Sequence, residues 1–263
     1  MKKVELKYPI ILVHGIGAKD SGLFWGRIPK KLENLGLKVF LGNTDSWGSI
    51  ESNAKFLKTT VDRILDECKC DKVNIIAHSK GGIDSRYLIS SLNYGNKVAS
   101  LTTISTPHLG SELVDYIFEK KSVYNPIAKT IVNLVVKLYG DKTPEPYKIV
   151  SELTTENMKK FNEENPNNEE VFYSSYHSFM RNSFDDISYS LSHWYLHKVA
   201  GKNDGIVSVN SAKWGEKFKL IIGKNRNGIS HSEIIDIKRK RISGVDIPEI
   251  YIEIVKELEN KKL

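Results

Sequence analysis

Ser79 closes a stretch whose residue types and spacing set up a nucleophile. Lys72 to Gly82, KVNIIAHSKGG, runs from an apolar segment, Val73 to Ala77, into His78-Ser79-Lys80-Gly81-Gly82. The apolar run predicts a strand. The small residues around Ser79 predict a sharp strand-to-helix turn, since bulk on either side would block it. Such a turn lifts the hydroxyl above a sheet edge and seats it at a helix N-terminus. The common pattern is Gly-x-Ser-x-Gly, and Ala77 adds one methyl at its first small position. A serine hydroxyl needs a base, an acid to orient that base, and donors for an oxyanion. His231 is the expected base, because the polar segment Asn227-Gly228-Ile229-Ser230-His231-Ser232-Glu233 leaves it free to hang over the turn. Asp204, in Lys202-Asn203-Asp204-Gly205, is the expected acid, at the carboxyl end of a short strand. Asn-Asp-Gly is equally a plain turn signal, and Asp185 and Asp186 are its rivals. The backbone amides of Ile16, in His14-Gly15-Ile16-Gly17, and of Lys80 are expected to hold the oxyanion. His14, His78 and His108 read as structural, and the Lys80 side chain as solvent-facing. The chemistry this set points to is acyl transfer.

These groups are far apart in the chain, so regular elements must bring them together. Strands are expected at Ile10 to Val13, Val39 to Leu41, Val73 to Ala77 and Val98 to Ser105. Between them fall helices at Trp25 to Leu35, closed by Gly36, at Ser49 to Cys68 and at Gly82 to Leu92. In the second helix Ala54, Leu57, Val61, Ile64 and Leu65 recur at three- and four-residue steps, the spacing of one buried face. Such alternation argues an α/β fold with a mostly parallel central sheet and helices on both faces. The pattern breaks after Gly110. From about 115 to 197 the chain reads as a helical, aromatic-rich insertion within one domain of residues 1–263, with a strand at Glu170 to Ser175. Sheet character resumes at Lys198 to Ala200 and Lys217 to Ile222, and Pro248 to Leu258 forms a terminal helix.

Within the insertion, Asn125-Pro126 followed by Ile127 to Tyr139 and Gly140 carries an N-cap, a first-turn proline and a closing glycine. Lys129, Asn133 and Lys137 form a narrow polar stripe, and most of the rest is apolar. Leaving that face in water would cost about 25 cal/mol per Å2. It is either a lid over an acyl groove, offering its face to lipid when open, or a fixed buried helix. Downstream aromatics such as Phe184, Tyr189 and Trp194 either line an acyl pocket or fill the core.

The 263 residues are 40% hydrophobic and 27% charged, which fits an ordinary globular chain able to bury one substantial core. The net charge of +7 is spread along the chain apart from Lys238-Arg239-Lys240-Arg241. It reads as a solvated basic surface, with no interleaved basic and aromatic motif that would indicate nucleic acid. No apolar run is long enough for a transmembrane segment. The N-terminal MKKVELKYPIILVHG reads as a first core strand rather than a signal peptide. The expected location is therefore the cytoplasm, or the outside for a mature form without its leader. Cys68 and Cys70 suit neither a long-range disulfide nor a metal site and read as free thiols.

Taken together, several stretches resemble the bacterial true lipases, the family that includes the secreted triacylglycerol lipases. They are Tyr8-Pro9-Ile10-Ile11-Leu12-Val13-His14-Gly15, Lys72 to Gly82, and Val98 to His108 with Gly110-Ser111. Leu153-Thr154-Thr155-Glu156-Asn157-Met158, Asn203-Asp204-Gly205-Ile206-Val207 and the His231 loop complete the set. The resemblance spans most of the chain. It implies an α/β-hydrolase fold, a Ser79–His231–Asp204 triad, Ile16 as the first oxyanion donor, and cleavage of carboxylic esters of acyl chains, acylglycerols among them. Carboxylesterase or acyltransferase action on short or soluble esters stays open, as does a lipid-binding relative without turnover. The chemistry requires no cofactor. Members of that family often bind structural Ca2+ near the catalytic histidine. The resemblance implies Glu233 and Asp186 as its carboxylate ligands, with the ion holding the His231 loop. The basic run from Lys238 to Arg241 departs from that pattern.

Overall fold

Six parallel strands form one sheet among the residues that this computed structural model describes, 3–19, 23–119 and 141–263. In chain order they are β1 (Ile10–Val13), β2 (Val39–Leu41), β3 (Val73–His78), β4 (Val98–Ile104), β5 (Phe172–Ser178) and β6 (Lys217–Ile221). Their spatial order is β2-β1-β3-β4-β5-β6. The chain starts at β1, steps outward to β2, then returns past β1 to β3 and continues the other way. This reversal opens a crevice at the carboxyl ends of β1 and β3, where open α/β sheets place their ligands. Pairing of Val13 with Ala77 and of Ala77 with Thr103 sets β3 between its neighbours just below Ser79.

Helices cover both faces, which is why the central strands read as unbroken apolar runs. Ile10 and Leu12 of β1 point to one face, toward Ile28 and Leu32 of α1 (Ile28–Glu33) and Ile250 and Ile254 of α8 (Ile247–Asn260). Ile11 and Val13 point to the other. They meet Leu57, Val61 and Ile64 of α2 (Ile50–Cys68) and Leu88 of α3 (Lys80–Ile89). The predicted stripe on α2 is its buried face, and the helix begins at a Ser49 cap whose side chain accepts from the Ser52 amide at 3.4 Å. Cys68 and Cys70 are free thiols. Among the described residues no helix is long and apolar enough to cross a membrane.

Several boundaries differ from expectation. Helix α1 is shorter than Trp25 to Leu35. Helix α3 begins at Lys80, directly after the serine, although Gly81 and Gly82 are poor helix formers. The segment Lys198 to Ala200 is not a strand: it is the last turn of α7 (Ser190–Ala200), ended by Gly201 at φ 77. The region 115–197 is also not wholly an excursion from the sheet, since β5 pairs with β4 and β6 in the middle of it. Around β5 lie α4 (Glu112–Glu119), α5 (Pro146–Glu152) and α6 (Thr155–Glu164), with α7 after it. The amphipathic helix expected at Ile127 to Tyr139 lies outside the described residues.

Candidate active site

Ser79 sits at the tip of the turn between β3 and α3 with φ 54 and ψ −132, a backbone region that L-residues other than glycine rarely occupy. The surroundings hold it there. The Ser79 amide donates to the Ile104 carbonyl at 2.9 Å, and the Thr106 hydroxyl donates to the Ser79 carbonyl at 2.8 Å. Three glycines make room by close approach rather than by torsion. A Cβ at Gly15 would lie 2.6 Å from the Ser79 Cβ, one at Gly81 would strike the His14 carbonyl, and one at Gly82 the Thr106 hydroxyl.

The structure brings the expected base and acid to this tip. His231 Nε2 is 3.1 Å from Ser79 Oγ, and His231 Nδ1 is 2.8 Å from Asp204 Oδ2. All three residues are buried, with Ser79 and His231 each 8% exposed and Asp204 not at all. The two loops are also joined through the backbone, the His231 amide donating to the Asp204 carbonyl at 2.9 Å. Burial alone would raise the Asp204 pKa. The His231 and His177 rings and the Val207 amide outweigh it and hold the carboxyl well below the usual carboxylate range. Its other oxygen accepts from the amides of Ile206 (3.0 Å) and Val207 (2.9 Å), so the carboxylate is fixed as an anion. Asp204 follows helix α7 and not a strand, because the chain from Ser190 stays helical through Ala200.

The rival carboxylates are engaged elsewhere. Asp185 accepts from the Gly228 amide at 2.7 Å, and Asp186 accepts from the Ser230 hydroxyl at 2.8 Å, so both brace the loop that carries His231. Ile16 follows Gly15, where an added Cβ would lie 2.6 Å from the Ser79 Cβ, and Lys80 opens α3 directly after the serine. The Lys80 side chain departs from expectation. It is 1% exposed, and its ammonium lies 2.6 Å from Asp84 Oδ1, with Asn53 donating to the other Asp84 oxygen at 3.0 Å. A lysine one helical turn from an aspartate meets it on the same face, and here that face is buried.

His78, read as structural, packs against the base, and His177 has a place in this site that the sequence left unassigned. His78 Nε2 donates to the His231 carbonyl at 3.1 Å, and burial, with the neighbouring His231 ring, holds its pKa well below the ordinary histidine value. His177 at the end of β5 stands behind the acid, with Nδ1 3.7 Å from Asp204 Oδ2 and 3.0 Å from Ser105 Oγ. Burial pushes its pKa down to about 4. His14 Nε2 lies 3.1 Å from the Thr44 carbonyl, and His108 Nε2 lies 3.0 Å from the Thr103 hydroxyl, both in structural positions. Contact between His177 and Asp204 was not legible from spacing, because β5 brings them together only through sheet pairing.

Asp186 and Glu233 do converge, yet the set does not fit a calcium ion. Lys238 Nζ stands between them, 2.6 Å from Glu233 Oε1 and 3.3 Å from Asp186 Oδ2. Among the described residues no group of three or more His, Cys, Asp and Glu side chains is arranged to hold a metal. What the site offers chemically is a serine held in a rare backbone conformation, a histidine within hydrogen-bond reach of its hydroxyl, and a fixed anion behind that histidine.

The family model described as palmitoyl protein thioesterase matches residues 9–214, a span that includes Ser79 and Asp204 and stops short of His231. A protein named triacylglycerol lipase 2 of Saccharomyces cerevisiae is 32% identical over 257 residues, covering 90% of this chain and 74% of its own length. A triacylglycerol lipase of Pseudarthrobacter phenanthrenivorans is 33% identical over 142 residues, covering 51% of this chain; the matched part is 44% of that protein. The mature form of a Bacillus licheniformis lipase has the same fold, with a TM-score of 0.72 at 23% identity, covering 96% of this chain and 94% of its own.

Proposed function

Since this chain belongs to the α/β-hydrolase lipases, within the family that the palmitoyl protein thioesterase model describes, we propose that it cleaves acyl esters through an acyl-enzyme on Ser79. It is a carboxylic ester hydrolase. The observation that supports the proposed route is the unbroken line from Ser79 Oγ through His231 to Asp204, at 3.1 and 2.8 Å.

In this reading His231 Nε2 takes the proton of Ser79 as the oxygen attacks the ester carbonyl. Asp204 holds the ring in the tautomer with Nδ1–H and stabilises the imidazolium that forms. The oxyanion is held by the Ile16 and Lys80 amides. The tetrahedral intermediate collapses, His231 gives its proton to the departing alcohol, and the acyl group stays on Ser79. Water then repeats the sequence, losing its proton to His231, and the fatty acid leaves as Ser79 regains its hydrogen. No step requires a metal or cofactor. Oxygen esters of acylglycerols are the preferred substrates in this reading, because curated relatives at 30% identity or better carry that name. The family model supports a second reading with the same chemistry, in which the leaving group is a thiolate on a palmitoylated protein. Transient contact with a lipid surface belongs to the first reading and falls to the apolar face predicted at residues 127–139.

Hydrolysis of p-nitrophenyl esters from C2 to C16, beside a triacylglycerol emulsion and an S-palmitoyl peptide, separates these. Hydrolysis should rise with acyl length, and turnover of the emulsion should exceed that of the thioester. Ser79→Ala should lower kcat by roughly 10³ to 10⁶ with the fold intact. Turnover by that variant equal to wild type would remove Ser79 from the mechanism.

A further inference from the structure

The structure assigns to Lys238 the task of a built-in cation, which bridges Asp186 and Glu233, offsets one of their two charges and so holds the loop of His231 without a free metal ion. The two carboxylates come from distant segments, one before the 3₁₀ turn Ile187–Tyr189 and one opening the turn Glu233–Ile235. They are 7% and 4% exposed. Two anions this close to each other and this far from water repel, and each raises the cost of ionising the other. A single ammonium meets both, at 2.6 and 3.3 Å.

The other contacts of these carboxylates show what the tie is for. Glu233 Oε2 accepts from the Ser230 amide at 2.9 Å, and Asp186 Oδ2 accepts from the Ser230 hydroxyl at 2.8 Å. Both therefore grip the residue next to His231, from two sides. Asp186 Oδ1 also accepts from the Ser188 amide at 3.2 Å. One residue beyond, Tyr189 Cβ packs where a Cβ on Gly205 would sit, beside Asp204. The ammonium thus clamps the base loop and, through one short turn, bears on the acid loop. Divalent cations serve such a purpose through carboxylate oxygens, but they dissociate. A lysine is covalently retained, and its stem reaches in from a side chain that is still 39% exposed. Two carboxylates and one ammonium leave a single negative charge; without the lysine, two oxygen-rich anions stand together, which is what a hard cation binds.

This role presumes His231 as the base, so the test includes readouts that do not depend on turnover. Wild type, Lys238→Met and Lys238→Arg are compared in EGTA and in millimolar calcium, by Tm, by kcat and KM on a soluble p-nitrophenyl ester, and by Tb3+ luminescence. The wild type should keep its Tm and kcat in EGTA and give no saturable Tb3+ signal. Lys238→Met should lose several degrees of Tm and about tenfold in kcat, with KM little changed. Calcium should restore both, and Tb3+ should bind saturably. Lys238→Arg should need no calcium. Loss of Tm or kcat by the wild type in EGTA, a Lys238→Met variant identical to wild type, or a loss that calcium does not reverse would each overturn the assignment. If Lys238→Met does not fold, Lys238→Gln takes its place. Labelling of Ser79 by a fluorophosphonate in each variant reads the catalytic centre separately, so a failed tie and a failed active site give different results.

Discussion

Ser79, the nucleophile of the proposed mechanism, occupies a backbone region that is unfavourable for any residue with a side chain, and the contacts around it hold it there. That position was legible in the sequence through its neighbours, since only small residues fit where Gly81 and Gly82 approach His14 and Thr106. His231 and Asp204 were legible for another reason: each lies in a polar loop with glycine beside it. The groups that surround them were not. His78 and His177 reach the triad through β3 and β5, and no sequence spacing encodes which strands lie side by side. The Lys80–Asp84 pair could have been read from its four-residue step, but solvent is the usual place for such pairs, and burial was not evident locally. At this scale the sharpest expectation concerns the acid. Asp204→Asn keeps an oxygen for the Ile206 and Val207 amides but removes the anion behind His231. The kcat for a p-nitrophenyl ester should fall by about 10⁴ with little change in Tm. Turnover close to wild type would transfer the role to Asp185 or Asp186.

Elements were legible where local chemistry and tertiary packing agree. Helix α2 has its serine cap, its apolar steps and a left-handed Lys69 at its end, and it falls where the sequence puts it. Helix α3 was read two residues late, because glycine is a poor helix former, while the close packing against β1 and β4 requires glycine there. Lys198 to Ala200 was expected to have sheet character, but the helix that begins at Ser190 runs through it. The turn before it sets the helix, and Val199 is 52% exposed. One contact between elements also makes a pH prediction. Glu152 of α5 accepts from the Ile50 amide at the first turn of α2, at 3.0 Å, and burial pushes its pKa up to about 7 from 4.5. A carboxyl with a raised native pKa keeps its proton when folded and has lost it when unfolded. Stability is therefore greatest below pH 4.5 for this group and declines as pH rises through 7. Glu152→Gln should remove that decline. By urea unfolding it should match wild type in acid and exceed it above pH 7 by on the order of 1–2 kcal/mol, solvent screening reducing the gain. An equal pH slope in both proteins would show that Glu152 is ionised throughout.

On the scale of the whole molecule, function follows from one reversal of strand order. β1 and β3 lie side by side with their connections leaving in opposite directions, so the loops bearing Ile16 and Ser79 face each other across a crevice. The segments after β5 and β6 then bring the acid and the base over that crevice from the far half of the sheet. Alternation of strands and helices made the sheet and its helical layers legible, since it admits few other arrangements. The strand order was not: a strand was expected at Glu170 to Ser175, where β5 lies, but not its place between β4 and β6. In the proposed mechanism three side chains from three loops act as one unit. Mass spectrometry after treatment with a fluorophosphonate tests this most directly. A single adduct on the peptide carrying Ser79 is expected in the wild type, with labelling slowed by orders of magnitude in His231→Ala. Adducts on another residue, or equally fast labelling in His231→Ala, would contradict it.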